Sequence, residues 1–134
     1  MRYVGLDWGS KRIGIAISDP DGKISIPFKI VKKEALGGEL ANLKQMLGEF
    51  EIVLGFPART DGVSGSSEEE VLKFKLELEN LGFKVNLWKE WFSSTEAEKT
   101  MKFHKIKLRK KKNLVDKIAA SLVLEAFLRS TRNK

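Results

Sequence analysis

Three carboxylates occupy positions where a plain scaffold would not put them. Asp7 closes the apolar run RYVGLD (2–7), and a buried carboxylate is expensive unless something compensates it. Asp116 heads a stripe at helical spacing whose next members are Ala119, Ala120, Val123 and Phe127, so an acid leads an otherwise apolar face. Glu90 stands just beyond another apolar run, FKVNLW (83–88). Asp61, within ARTDGV, is a fourth candidate, although Thr-Asp-Gly is ordinary turn chemistry. Each acid also has a plainer role open to it: Asp7 as a turn former, Asp116 in a helix first turn after an Asn113 cap, and Glu90 on the surface.

Like charges a few ångströms apart cannot all stay ionised without a cation between them. Oxygen ligands suit Mg²⁺ or Mn²⁺, which bind through one or two carboxylates together with waters and substrate phosphates. Two such ions ~4 Å apart can activate a water and stabilise the leaving oxygen of a phosphodiester. Asp7, Glu90 and Asp116 gathered at one edge would therefore suit metal-dependent phosphodiester hydrolysis, with no His or Cys nucleophile required.

The charge balance points to the same substrate. The chain carries a formal net charge of +7 over 134 residues. KTMKFHKIKLRKKKN (99–113) holds eight Lys and Arg with no acid, and such a block repels itself unless an anion lies across it. A solvated loop is the alternative. The candidate phosphate contacts are Lys11, Arg12, Arg59, Lys107, Arg109, Lys110, Lys111 and Lys112. His104 has no second histidine and so no metal-ligating partner of its own kind. The tryptophans, Trp8, Trp88 and Trp91, all lie within two residues of Asp7 or Glu90; packing explains them better than base stacking. The absence of cysteine excludes disulfides and thiolate metal sites. No apolar run approaches a membrane span and no secretory pattern opens the chain, so a cytoplasmic protein without membrane attachment is expected.

These residues need elements to carry them. RYVGLD (2–7) and RIGIAIS (12–18) read as strands, and Asp19-Pro20-Asp21-Gly22 reads as a turn into KISIPFKIV (23–31). Pro27 assigns that third strand to a sheet edge. A helix is expected over about 35–49 on Leu36, Leu40, Leu43 and Leu47, and IVLGF (52–56) follows as a buried strand. After the polar loop 57–67, a second helix over about 67–81 turns Val71, Phe74, Leu78 and Leu81 inward and ends at Gly82. FKVNLW (83–88) is the fifth strand. Ser93 and Glu96 resemble a capping box for a third helix to about 104, and a last helix covers about 114–130. The order β-β-β-α-β-α-β-α-α indicates a mixed five-stranded α/β sheet with helices on its faces, forming one domain over 1–134.

DWGSKRIGIAISD (7–19), VLGFPARTDG (53–62), SSTEA (93–97) and LVDKIAASLVLEAFL (114–128) together resemble the YqgF family. These are pre-16S rRNA nucleases, also described as RuvC-type Holliday junction resolvase-like proteins. The resemblance covers essentially the whole chain in order. It implies an RNase H-like fold, processing of precursor 16S ribosomal RNA, and an acidic constellation on Asp7, Glu90 and Asp116. Around Glu90 the family's acidic and Arg neighbours are replaced by Lys89 and Trp91, and the strand-4 loop reads Ala58-Arg59-Thr60 where the family favours Leu-Asn-Met.

Other readings remain beside it. A Holliday junction resolvase would use the same acids and act as a homodimer, because two strands must be cut symmetrically, whereas precursor trimming is open to a monomer. A non-catalytic nucleic-acid-binding module would use the basic residues alone. Asp-x-Gly before a hairpin also occurs in actin-like ATPases and sugar kinases, but those need two such domains.

Overall fold

The computed structural model describes residues 1–9, 12–57, 66–90 and 112–132. Five strands, β1 (Tyr3–Asp7), β2 (Arg12–Ser18), β3 (Ser25–Lys32), β4 (Glu51–Pro57) and β5 (Val85–Glu90), form one sheet in the order β3-β2-β1-β4-β5. β1, β2 and β3 pair antiparallel, whereas β4 pairs parallel with both β1 and β5. Among the described residues three α-helices accompany the sheet: α1 (Leu36–Leu47), α2 (Ser66–Asn80) and α3 (Lys112–Arg132). The expected mixed sheet and its element order are found. The helix expected over 93–104 lies outside the described residues.

Strand alternation divides the core. Val4, Leu6, Ile13, Ile15, Ile52, Leu54 and Val85 point to one face and are covered by Leu36, Leu40 and Leu43 of α1 and by Val71 and Leu78 of α2. On the other face Ala16 and Val53 pack against Ala120, Val123, Leu124 and Leu128 of α3. Among the described residues no helix is long and apolar enough to cross a membrane.

The β2–β3 hairpin forms as its chemistry predicts. The Asp19 carboxylate accepts from the backbone N–H groups of Lys23 (2.6 Å) and Ile24 (2.8 Å), and Gly22 N–H donates to the Asp19 carbonyl at 3.1 Å. With both amides committed to this turn, β3 starts at Ser25 rather than 23. Pro27 lies on an edge strand, beside an irregularity in the ladder where Ile15 pairs Lys29 and Ala16 pairs Pro27.

Two expectations need correction at the end of α2. Leu81 is 62% exposed, not inward, and the fifth strand spans 85–90 rather than 83–88. Both follow from the helix terminus. Gly82 takes φ +98° and donates to Glu79, while Phe83 N–H reaches back to the Leu78 carbonyl at 3.2 Å. In this Schellman closure the residue after the glycine makes the apolar contact; Phe83 stacks on Phe50 with ring centroids 5.5 Å apart. The strand then starts two residues later and carries Glu90 as its last member.

The glycines of β1 and β4 set how closely α3 docks. A Cβ on Gly5 would lie 2.8 Å from Leu124 Cβ, and one on Gly55 would fall inside the methyl groups of Val123. Val in a helix has one strongly preferred rotamer and cannot swing clear. Gly55→Ala should therefore lower unfolding stability by about 1–3 kcal/mol, and Val123→Ala on top of it should recover part of that loss, which chemical denaturation will measure. A second expectation concerns pH. Backbone N–H donors, that of Ile24 first, hold the Asp19 carboxyl below its ordinary value. Its contribution to stability is present above the unfolded carboxylate pKa and is lost as pH falls through the depressed folded value. A carboxyl titration by NMR should find Asp19 among the last carboxylates to protonate on acidification.

Candidate active site

Asp7 is held between two glycines. It pairs with Gly14 across the antiparallel ladder and with Gly55 across the parallel one, so no side chain from either neighbour flanks it at that level. The ladder continues one step past it, where Trp8 N–H donates to the Gly55 carbonyl at 3.2 Å. Asp7 itself is half-buried. It shares its face with Tyr3 and Gly5, which is the face that α3 covers.

The path of α3 follows from its contacts. Tyr3 meets Phe127 edge-on at 5.2 Å, and two residues along the strand Gly5 meets Leu124 and the Ala120 carbonyl. Helix numbers fall as strand numbers rise, so α3 runs antiparallel to β1 and begins at the Asp7 edge. Two strand residues advance about 6.6 Å and one helical turn about 5.4 Å. The turn before Ala120, which contains position 116, therefore stands near the level of Asp7.

Glu90 reaches the same edge through register. Asp7 pairs with Gly55, Gly55 with Trp88, and Pro57 with Glu90. Positions 7, 55, 88 and 90 thus lie on one face, and the end of β5 projects two residues beyond the end of β1. Two strand spacings sideways and two residues along put the Cα atoms of Asp7 and Glu90 about 12 Å apart, too far for their carboxylates to touch directly. Among the described residues no three acidic or histidine side chains converge; of the three acids, Asp7 is the one whose side chain is described.

The basic candidates divide in the same way. Arg12 opens β2 at this edge and is exposed. Lys112 is the first residue of α3. Lys11, Arg59, Lys107, Arg109, Lys110 and Lys111 lie outside the described residues, as do Asp61 and Trp91. Trp8 and Trp88 are packing residues, as expected. Trp8 lies 4.9 Å from the Phe74 ring with the Lys33 ammonium 3.7 Å from its centroid, and Trp88 meets Phe127 at 6.0 Å.

Gly55 was passed over as a functional position. Its place in the middle of an apolar strand is the available signal, since a strand glycine often marks close approach of another backbone.

Comparison with known proteins adds to this geometry. The sequence profile of RuvX, described as Holliday junction resolvase, matches residues 1–130. A protein of Syntrophomonas wolfei subsp. wolfei named "Putative pre-16S rRNA nuclease" is 39% identical over 132 residues, covering 96% of this chain and 94% of its own. One of the same name from Thermoanaerobacter pseudethanolicus is 34% identical and aligns over 100% of both chains. The Fowlpox virus resolvase, in its crystal structure with Holliday junction DNA, superposes with a TM-score of 0.55 at 15% identity over 98% of this chain and 99% of its own. That likeness concerns the fold, which is RNase H-like.

Proposed function

This chain belongs to the RuvX family of Holliday junction resolvases, a family of nucleases that hydrolyse phosphodiester bonds, and from that premise we propose that it is a divalent-metal-dependent nuclease processing precursor 16S ribosomal RNA in the cytoplasm. The observation that carries this reading is the place of Asp7 at the end of β1, on the sheet edge where β5 ends at position 90 and α3 begins. The names of the relatives support the RNA substrate.

The donor set fits Mg²⁺ or Mn²⁺. Asp7, Glu90 and Asp116 offer oxygen alone, and the residues paired with Asp7 on both neighbouring strands are glycines. Those three acids would hold the metal, which when bound neutralises phosphate charge and lowers the pKa of water. Asp7 presents its carboxylate from a backbone fixed by ladders on both sides. The N-terminus of α3 turns its positive dipole end towards this edge, which favours a bound phosphate. Arg12, with Lys11, Arg59 and the Lys107–Lys112 segment, would hold the nucleic-acid backbone.

The family's own name carries a second reading, resolution of four-way DNA junctions. It requires a homodimer; precursor processing is open to a monomer.

Cleavage of precursor 16S rRNA and of a four-way junction should depend on Mg²⁺ or Mn²⁺. Asp7→Asn and Asp116→Asn should each lower it by about 100-fold or more, above the range typical for outer-shell partners of a metal. Undiminished cleavage by both variants would remove the acids from the mechanism. Mn²⁺ should also perturb tryptophan emission in the native protein, because Trp88 shares the Asp7 row. It should leave the emission of Asp7→Asn unchanged.

A further inference from the structure

Asp7 stands where the ladder runs out. Trp8 N–H donates to the Gly55 carbonyl at 3.2 Å, and the chain then turns so tightly that a Cβ on Gly9 would collide with the Arg12 carbonyl. Strand ends open more readily than strand middles. Cross-strand side-chain pairs, the usual reinforcement of a sheet, are absent from both ladder positions of Asp7, because its partners are Gly14 and Gly55. Bracing along β1 itself therefore matters. Leu6 and Trp8, on either side of Asp7 in the chain, both belong to the opposite face and its core. Leu6 is fully buried, so the inner side of Asp7 is pinned.

The outer side is held by Trp8, which is half-buried and gripped by two side chains. Its ring lies 4.9 Å from that of Phe74 on α2, and the Lys33 ammonium stands 3.7 Å from its centroid. Lys33 opens the short 3-10 turn Lys33–Ala35 that follows β3, two strands away from β1. One cation thus ties the end of β1 to the far flank of the sheet. The contact is close, well inside the ~6 Å reach of a cation–π attraction, whereas Lys44 stands 5.6 Å from the Phe83 ring. Lys33 is also half-buried, and partial loss of water strengthens such an attraction.

We propose that Lys33 is a positioning residue of the candidate site: its ammonium, seated on the Trp8 ring, clamps the end of β1 and holds the Asp7 carboxylate in place for a divalent cation. The inference rests on the nuclease reading above and adds a residue that acts through Trp8 rather than on metal or substrate. Its charge makes the expected sign distinctive. A lysine near a cation site repels the ion, so losing that charge alone would tighten Mn²⁺ binding. Losing the clamp weakens it.

The test measures Mn²⁺ binding to the full chain by electron paramagnetic resonance, well below the melting temperature of each variant. Lys33→Met, which keeps an apolar stem and loses the ammonium, should bind Mn²⁺ about tenfold more weakly, the low end of the range for outer-shell partners of a metal. Lys33→Arg should bind as the native protein does, because a guanidinium also stacks on an aromatic face. Lys44→Met, which removes the cation over Phe83 before the start of β5, should also be native-like. A fluorescein-labelled four-way DNA junction, bound in EDTA so that no cleavage occurs, should show native affinity and native salt dependence with Lys33→Met. A phosphate contact would instead reduce the slope of log affinity against log salt by about one. Native-like or tighter Mn²⁺ binding by Lys33→Met, equal weakening by Lys33→Arg or Lys44→Met, or that reduced slope overturns the inference, while loss of Mn²⁺ binding in Asp7→Asn leaves the nuclease reading standing. Failure of the native protein to bind Mn²⁺ overturns both.

Discussion

The close docking of α3 on the glycines of β1 and β4 is the contact on which the candidate site depends. Gly5 and Gly55 leave no Cβ between the sheet and Leu124 or Val123. That proximity fixes the height of the helix along β1 and so brings position 116 level with Asp7. Val123, Leu124 and Leu128 are at most 1% exposed, and burying each contributes about 1.5–3 kcal/mol. Apolar burial of these residues holds the helix against the glycines.

The two faces of the sheet are built for different ends. Large side chains, Leu6, Ile13, Ile15, Ile52 and Leu54 among them, fill the side under α1 and α2. On the other side Gly5, Gly14, Ala16 and Gly55 leave room, and one long helix lies close against them. The thick face supplies the core. The thin face ends at Asp7, with Trp88 and Tyr3 closing around Phe127 at its sides. Antiparallel pairing on the β2–β3 flank brings Arg12, from a strand running against β1, and Lys32, from one running with it, to the edge where Asp7 lies.

Much of this was legible in the residues, and the exceptions have physical causes. RIGIAIS alternates without interruption, and β2 spans 12–18 as expected. Pro27, unable to donate to a ladder, marked the edge strand correctly. The apolar stripe that Asp116 heads is borne out from Ala120 onward, where Val123 is buried against the sheet. Leu81 and Phe83 were misassigned because periodicity carries no information about a Schellman closure, which turns the chain after Asn80 and uses Phe83 for packing. The same two-residue shift moved Glu90 from beyond the strand to its final position. The Arg12–Lys32 pairing was not legible at all, since it depends on register, and an irregularity between Ile15 and Ala16 sets that register.

A crystal structure of the Mn²⁺-soaked protein, with anomalous scattering recorded at the manganese edge, tests the central claim most directly. Manganese density in contact with the carboxylates of both Asp7 and Asp116 is the predicted result. Density confined to other acids, or an Asp7 carboxylate with no metal against it at saturating Mn²⁺, would contradict it.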